Sequence, residues 1–406
     1  MKVPFFRPSI GEPEIAAVVE CLRSGWLTTG PRTKEFERKF AEAVGARHAI
    51  AVNSCTAALH LALEAIGLQR GELVLVPTMT FAATAEVVRY FDAIPVFVDC
   101  DPVTLCMDPQ ALADTLASLS AGRAVAGITP PYGRVRTIIP VHYGGQMVDV
   151  DAIAATATRH ELPVIEDAAH TLPAFYRAGA SAPWRRVGTT ADITCFSFYA
   201  NKCITTGEGG MAVTDRDDIA ERMRLMSLHG MSKDAWKRFM GNGAWYYEIV
   251  APGFKYNLTD VAAAIGLCQL EQVEQLWQAR CEIARALREQ LADVAELQLP
   301  VELPNRRHAW HLFAVQLDLS RLCIDRARFI DLLNERGIAA SVHWMPLHMQ
   351  PYYRQTFGYA ADSFPVAAAV WPRLVSLPIF PGMTQEETAA VASAVKAIVR
   401  EHAKEP

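Results

Sequence analysis

Short apolar runs alternate with amphipathic stretches over the first 215 or so residues of the chain. HAIAVNS (48–54) leads into the alanine- and leucine-rich TAALHLALEAIG, ELVLVP (72–77) into a helical pattern near 80–91, and AIPVFVD (93–99) follows. TIIPVH (137–142) precedes a helical pattern from about residue 149, and LPVIED (162–167) closes the series. Strand-length runs separated by helices of about 10–15 residues read as βαβ units, hence a mainly parallel sheet covered on both faces. ITCFSFY (193–199) and GGMAVTD (209–215) lie too close together for a helical crossover, which predicts an antiparallel pair within a mixed sheet. The pattern then changes. Residues 259–278 read as one long helix, AWHLFAVQL (309–317) and IAASVHW (338–344) as strands, and 325–336 and 384–402 as further helices. This predicts a large α/β domain over 1–265 and a smaller C-terminal α+β domain over 266–406. Residues 119–136, rich in glycine and proline, read as a surface excursion.

Composition narrows the class. With 406 residues, 51% hydrophobic and 20% charged, the chain can bury a large core and is neither disordered nor a small disulfide scaffold. A net charge of −5 leaves no electrostatic footprint for nucleic acid or a membrane surface. No run approaches the roughly 20 apolar residues of a membrane span, and MKVPFFRPSIGEPE lacks the apolar core of an export signal. Nine cysteines are scattered singly without a CxxC pair, so reduced thiols in a cytoplasmic enzyme are expected, and no metal.

The densest chemistry lies in FSFYANKCITTGEGGM (196–211). Lys202 follows an apolar strand and precedes a glycine-rich turn, and no other lysine occurs between Lys39 and Lys202. On spacing alone it reads as a solvated side chain; desolvated, its amine would have a lowered pKa and could form a Schiff base. Glu166 and Asp167 end a buried run at the strand end where open α/β sheets bind ligands. They read either as helix-capping carboxylates or as one carboxylate facing a cationic nitrogen, the partner a pyridoxal phosphate (PLP) ring needs. Phe81 reads as core or as a ring-stacking aromatic. NSCTAALHLAL (53–63) opens a helix directly after a strand, offering free N–H groups and a positive dipole end to a phosphate, and Ser197 can add a hydroxyl.

Taken in order, these segments resemble the DegT/StrS family of PLP-dependent nucleotide-sugar aminotransferases. The likeness runs nearly end to end, through SGWLTTGPRTKEFE (24–37), AVNSCTAALHLAL, PTMTFAATA, IPVHYGGQMVDVD (139–151), VIEDAAH (164–170), FSFYANKCITTGEGG, LHGMSKDAW (228–236), GFKYNLTDVAAAIGLCQL (253–270), HAWHLF (308–313), VHWMPLH (342–348) and SLPIFPGMT (376–384). It is similar in particular to members that aminate sugar C4, of the UDP-4-amino-4-deoxy-L-arabinose aminotransferase type. The resemblance implies fold type I, with a large, mixed, mostly parallel sheet domain and a smaller C-terminal α+β domain. It implies PLP as cofactor and Lys202 as the lysine that carries it. Asp167 would be the ring-nitrogen partner, Phe81 the stacking aromatic, Cys55 and Thr56 the backbone phosphate donors and Ser197 the side-chain donor. His170 falls beside the ring oxygen. Asn257, with Lys255, falls in a loop that reaches the partner subunit's site, although many relatives read N-Y-R where this chain reads K-Y-N.

The implied reaction moves an amino group from glutamate, leaving 2-oxoglutarate, to a 4-keto-6-deoxy nucleotide sugar, within a homodimer. Relatives aminating C3 tend to read N-x-R-L-D where this chain has Lys255-Tyr256-Asn257-Leu258-Thr259-Asp260, closer to the C4 group. Dehydratases on this fold replace the lysine by histidine, and a non-catalytic regulator would not need lysine, aspartate and phosphate cradle together. His343 and His348, without a carboxylate or cysteine partner in the pattern, read as cleft or core residues rather than as metal ligands.

Overall fold

The computed structural model describes residues 1–231 and 248–404, so the 232–236 part of LHGMSKDAW lies outside the described residues. In chain order the strands are β1 (His48–Val52), β2 (Leu73–Pro77), β3 (Ile94–Val98), β4 (Val135–Ile138), β5 (Ile165–Asp167), β6 (Phe175–Tyr176), β7 (Arg185–Arg186), β8 (Ile193–Ser197), β9 (Gly210–Thr214), β10 (Leu297–Gln298), β11 (Arg306–Arg307), β12 (Phe313–Leu317) and β13 (Leu374–Leu377). β2 pairs in parallel with β3 and β4, and β5 with β8, whereas β8–β9 and β9–β1 are antiparallel. Parallel bridges Ile138–Val164 and Val141–Asp167 join the two halves into one sheet, ordered β3-β2-β4-β5-β8-β9-β1. This is the mixed, mostly parallel sheet expected from the spacing, including its antiparallel β8–β9 pair. Every residue of β2 and β9 is buried, the pattern of strands covered on both faces.

Helices follow the strands at turns that the sequence caps. α1 (Glu12–Ser24) and α2 (Pro31–Val44) precede β1, and α3 (Cys55–Ala65), α4 (Ala83–Arg89), α5 (Pro109–Ser120) and α6 (Val150–Arg159) follow β1, β2, β3 and β4. Ser54, Asp108 and Asp149 accept first-turn N–H groups of α3, α5 and α6, satisfying donors that a helix start leaves unpaired. These helix starts stand at the C-terminal ends of their strands.

A second sheet, β10-β12-β13, is antiparallel and packs with the helices Val273–Leu291, Arg326–Glu335 and Gln385–His402. The last of these opens on a capping box in which Thr384 and Glu387 bond each other's backbone N–H. The segment 259–278 forms two helices rather than one, Asp260–Glu271 and Val273–Leu291. Gln272 (φ −100°, ψ 1°) interrupts them while its amide donates to Glu14 and to the Cys268 carbonyl. Residues 338–344 carry two isolated bridges, Ile338 to Val3 and Ser341 to Ser376, instead of a strand. The buried apolar side chains form two clusters. The first spans the large sheet and includes Leu276, Leu347 and Phe364; the second gathers Val3 with Ile283, Phe313, Phe329 and Val395. No helix of the described residues is long and apolar enough to cross a membrane.

Candidate active site

A cleft of about 370 Å³ opens at the C-terminal ends of β5 and β8, where the start of α3 and the segments carrying His311 and Trp344 also meet. Lys202 lies in the turn after β8, its backbone N–H bonded to the Tyr199 carbonyl and its side chain reaching the cleft. Burial pushes its pKa below the ordinary lysine value, opposed by the Asp167 carboxylate. Strand alternation separates the two carboxylates at the end of β5. Asp167 faces the cleft; Glu166 is bonded by the Thr190 and Thr194 hydroxyls and lies 3.5 Å from the buried His142. Burial alone would raise the Glu166 carboxyl, but His142 and the two hydroxyls bring it below its usual range. Asp167 accepts from the Thr84 hydroxyl (2.8 Å) and the Ala169 N–H (3.1 Å), and Thr80 bonds Thr84 in turn (2.8 Å). Burial nonetheless leaves Asp167 above the ordinary carboxylate value. A cationic group arriving in the cleft would relieve that cost.

Three imidazoles wall the other side. Burial pushes His170 and His311 well below the usual histidine range and His343 down to about 4, so all three are neutral near pH 7. The Gly144 N–H donates to His170 Nδ1 (3.1 Å), which puts the ring proton on Nε2. The His170 ring stacks on Trp344 at 5.0 Å, and His311 Nε2 stands 3.5 Å from Lys202 Nζ.

Cys55 and Thr56 form the first turn of α3 and line the cleft, where Ser54 has already satisfied the Ala57 N–H. Ser197, the last residue of β8, brings its hydroxyl to the same end. Phe81 is 58% exposed at the cleft lip, its ring 6.1 Å from Trp344: a large aromatic with one face uncovered. The structure thus brings Cys55, Thr56, Phe81, Asp167, His170, Ser197 and Lys202 around one space.

Asn257 is elsewhere. Its amide donates to Thr29 (2.6 Å) and accepts from Lys255 (2.6 Å), outside the cleft of its own chain. Nearby, Asp260 accepts the N–H groups of Gly30, Arg32 and Thr33, supplying the cap that Gly30 lacks at the start of α2. His343 lines the cleft and bonds Ser376, whereas His348 is buried against Thr78. Trp344 lines the cleft beside His170 and His343, the place expected from the sequence for a residue that sets how deep the sugar slides, while Thr80, Thr84 and His311 carry parts of this site that spacing did not single out. For His311 the available signal was its place in HAWHLF.

Residues 8–396 match the DegT/DnrJ/EryC1/StrS aminotransferase family. The Bacillus subtilis spore coat polysaccharide biosynthesis protein SpsC is 43% identical over 399 residues, 98% of this chain and 97% of its own. The PLP form of Spr1654 from Streptococcus pneumoniae superposes with a TM-score of 0.86 at 30% identity, covering 99% of each chain. Helicobacter pylori PseC, an aminotransferase involved in the biosynthesis of pseudoaminic acid, gives 0.86 at 27% identity over 99% of this chain and 100% of PseC.

Proposed function

We propose, from the premise that this chain belongs to the DegT/DnrJ/EryC1/StrS aminotransferase family, that it moves an amino group from glutamate to C4 of a nucleotide-linked 4-keto-6-deoxy sugar. The chain is a PLP-dependent sugar transaminase of fold type I. The observation that carries the residue assignment is the meeting of a desolvated Lys202 amine and a buried Asp167 carboxylate with an open helix start in one cleft. The residues present fit PLP. The α3 N–H groups of Cys55 and Thr56 with the Ser197 hydroxyl would hold its phosphate, Asp167 its ring nitrogen, His170 Nε2–H its ring oxygen, and Phe81 its face. Bound there, PLP supplies an electron sink and carries the amino group between donor and acceptor.

The protein's own part is proton handling and orientation. Lys202 Nζ takes the proton from the donor's Cα in one half of the reaction and delivers one to the sugar carbon in the other. Acting as both base and acid requires a pKa near working pH, the direction in which burial moves it. The Thr84 hydroxyl and the Ala169 N–H aim Asp167 and favour its ionised form against the cost of burial. The neutral His170, His311 and His343 add no charge that would compete with the amine.

The active unit in this reading is a homodimer. Ile15, Val19 and Leu22 expose an apolar stripe on α1, continued by Trp26 and Leu27, the kind of face a second copy covers. Asn257, turned away from its own cleft, is then free to approach the partner's. SpsC, named for spore coat polysaccharide biosynthesis, supports a sugar destined for a surface polysaccharide. Nine free cysteines suit the cytoplasm.

Borohydride reduction with PLP followed by peptide mapping tests the lysine: the adduct should fall on Lys202 and vanish in Lys202→Ala. An adduct on another lysine overturns the assignment. Glutamate with a panel of 3-keto and 4-keto nucleotide sugars, the new C–N bond located by NMR, tests the regiochemistry, and amination at C3 alone would replace C4.

A further inference from the structure

Trp310 holds a left-handed backbone conformation (φ 52°) that a bulky side chain rarely adopts. Its surroundings impose it. The Trp310 N–H donates to His308 Nδ1 (2.8 Å), its carbonyl accepts from Arg280 (3.1 Å), and its ring stacks on His308 at 4.1 Å. On either side Ala309 and Leu312 donate to the carbonyls of Gly145 and Gly144 (2.9 and 3.0 Å). Gly145 has no room for a side chain, because a Cβ would stand 2.8 Å from the Trp310 nitrogen. Arg280 is buried, and its Nη1 is occupied by two carbonyls, those of Trp310 and Ile379. A strained residue held by this many contacts suggests that its neighbour's direction matters. That neighbour is His311, whose Nε2 stands 3.5 Å from Lys202 Nζ.

We infer that His311 is a positioning residue for Lys202: its Nε2 accepts a hydrogen bond from the free ε-amine and fixes where that amine sits. The inference rests on the reading of Lys202 as the catalytic amine. The chemistry is consistent proton by proton. An acceptor beside a lysine must be neutral. Burial first, then Lys202, His170, Arg280 and His343, keep the His311 ring uncharged. With Nε2 accepting, the single ring proton lies on Nδ1, which is buried and finds no acceptor among the described residues, a cost that the contact to Lys202 must outweigh. No proton transfer is required of His311; the lysine keeps its own. Around the amine, Asp167, Cys55 and Cys203 favour the charged form, while burial and Arg280 oppose it. An accepted hydrogen bond from His311 adds to the first group.

His311→Leu removes the acceptor, and His311→Gln offers an amide oxygen in its place. Two readouts separate positioning from mere shape: the pH dependence of PLP capture by the apoenzyme, followed by its visible band, and the split between kcat and KM of the holoenzyme. For His311→Leu we expect kcat to fall roughly 100-fold with KM little changed, and the capture midpoint to move about one pH unit lower. His311→Gln should recover most of both. If His311→Leu melts early, His311→Phe, which keeps ring bulk without a lone pair, is measured instead. An unchanged midpoint and kcat in the acceptor-free variant overturns the inference, as does a Gln variant as impaired as Leu when both melt like the wild type. Lys202→Ala runs alongside. A persistent cofactor adduct there would sink the reading of Lys202 itself, whereas wild-type behaviour of the His311 variants alone sinks only this inference.

Discussion

Gly210→Ala isolates the phosphate cradle from the rest of the site. Gly210 opens β9 and pairs with Val52 on one side and Ser197 on the other, directly beneath the start of α3. A Cβ there would stand 2.4 Å from the Ser54 carbonyl carbon and 2.6 Å from both its oxygen and the Cys55 nitrogen. All three are backbone atoms, so no rotamer change relieves the contact. Ordinary Cβ contact begins near 3.4 Å, so strand and helix start must part by about 1 Å (3.4 − 2.4). Overpacking of this kind destabilises by about 1–3 kcal/mol. The functional effect is larger in proportion, since a hydrogen bond stretched by about 1 Å from 2.9 Å is lost. One donor lost to a charged phosphate is worth about 1.5–3 kcal/mol, a roughly 10- to 100-fold rise in the PLP Kd. Titrating apoenzyme with PLP at the visible band gives the Kd, and urea melts give the stability. Gly382→Ala is the control, with none of the described residues within 4 Å of its Cβ. If Gly210→Ala loses stability but keeps the wild-type Kd, the start of α3 is not the phosphate site.

Thr84→Val removes a hydroxyl that donates to Asp167 and should move the acid limb of the kcat/KM profile up by about one pH unit; an unmoved limb means Thr84 does not support that carboxylate. Stability should fall as pH drops from about 6.5 toward 4. Burial holds His60 and His343 at about 4, His308 at about 3, and His170 and His311 well below the usual range, so the unfolded chain binds those protons first. Glu37, which burial raises to about 7, has the opposite sign, binding its proton first in the folded chain and losing that stabilisation as pH rises toward 7. A urea midpoint flat across that range would show that the imidazoles are not buried neutral. Mixed dimers of Lys202→Ala with Asn257→Ala should regain part of the activity that each homodimer lacks; verified heterodimers without activity would place Asn257's role in its own chain.

The strands that were legible in the sequence are those whose neighbours are near in the chain and whose two faces are both covered. β2 reads as five buried residues, and the short β8–β9 connection leaves only an antiparallel pairing. Lys202 and the pair at 166–167 were also visible, but period two alone could not say which carboxylate faces the cleft. Glu166's partners Thr190 and Thr194 lie just before and within the neighbouring strand β8, and Thr84 meets Asp167 across 83 residues. Pairings of that range leave no periodic trace. The break at Gln272 was hidden for the same reason: its amide answers to Glu14 from the other end of the chain. Residues 338–344 alternate like a strand, yet form only the bridges at Ile338 and Ser341.

The seam at Val3 has a consequence for synthesis. Val3 donates to the Gly337 carbonyl (2.9 Å), its own carbonyl accepts from Ala339 (3.0 Å), and Arg7 pairs with Glu387. A ribosome therefore releases every strand of the central sheet, complete at Thr214, long before the partners of Val3 emerge. Val3 must wait, unpaired, for partners that lie far downstream of it. The large sheet can close while translation continues, and the second core, which seats Val3 among residues 283–399, can close only after those later segments follow. A bulky group placed ahead of Val3 would accordingly delay or weaken that last step and leave the sheet that carries Lys202 and Asp167 intact.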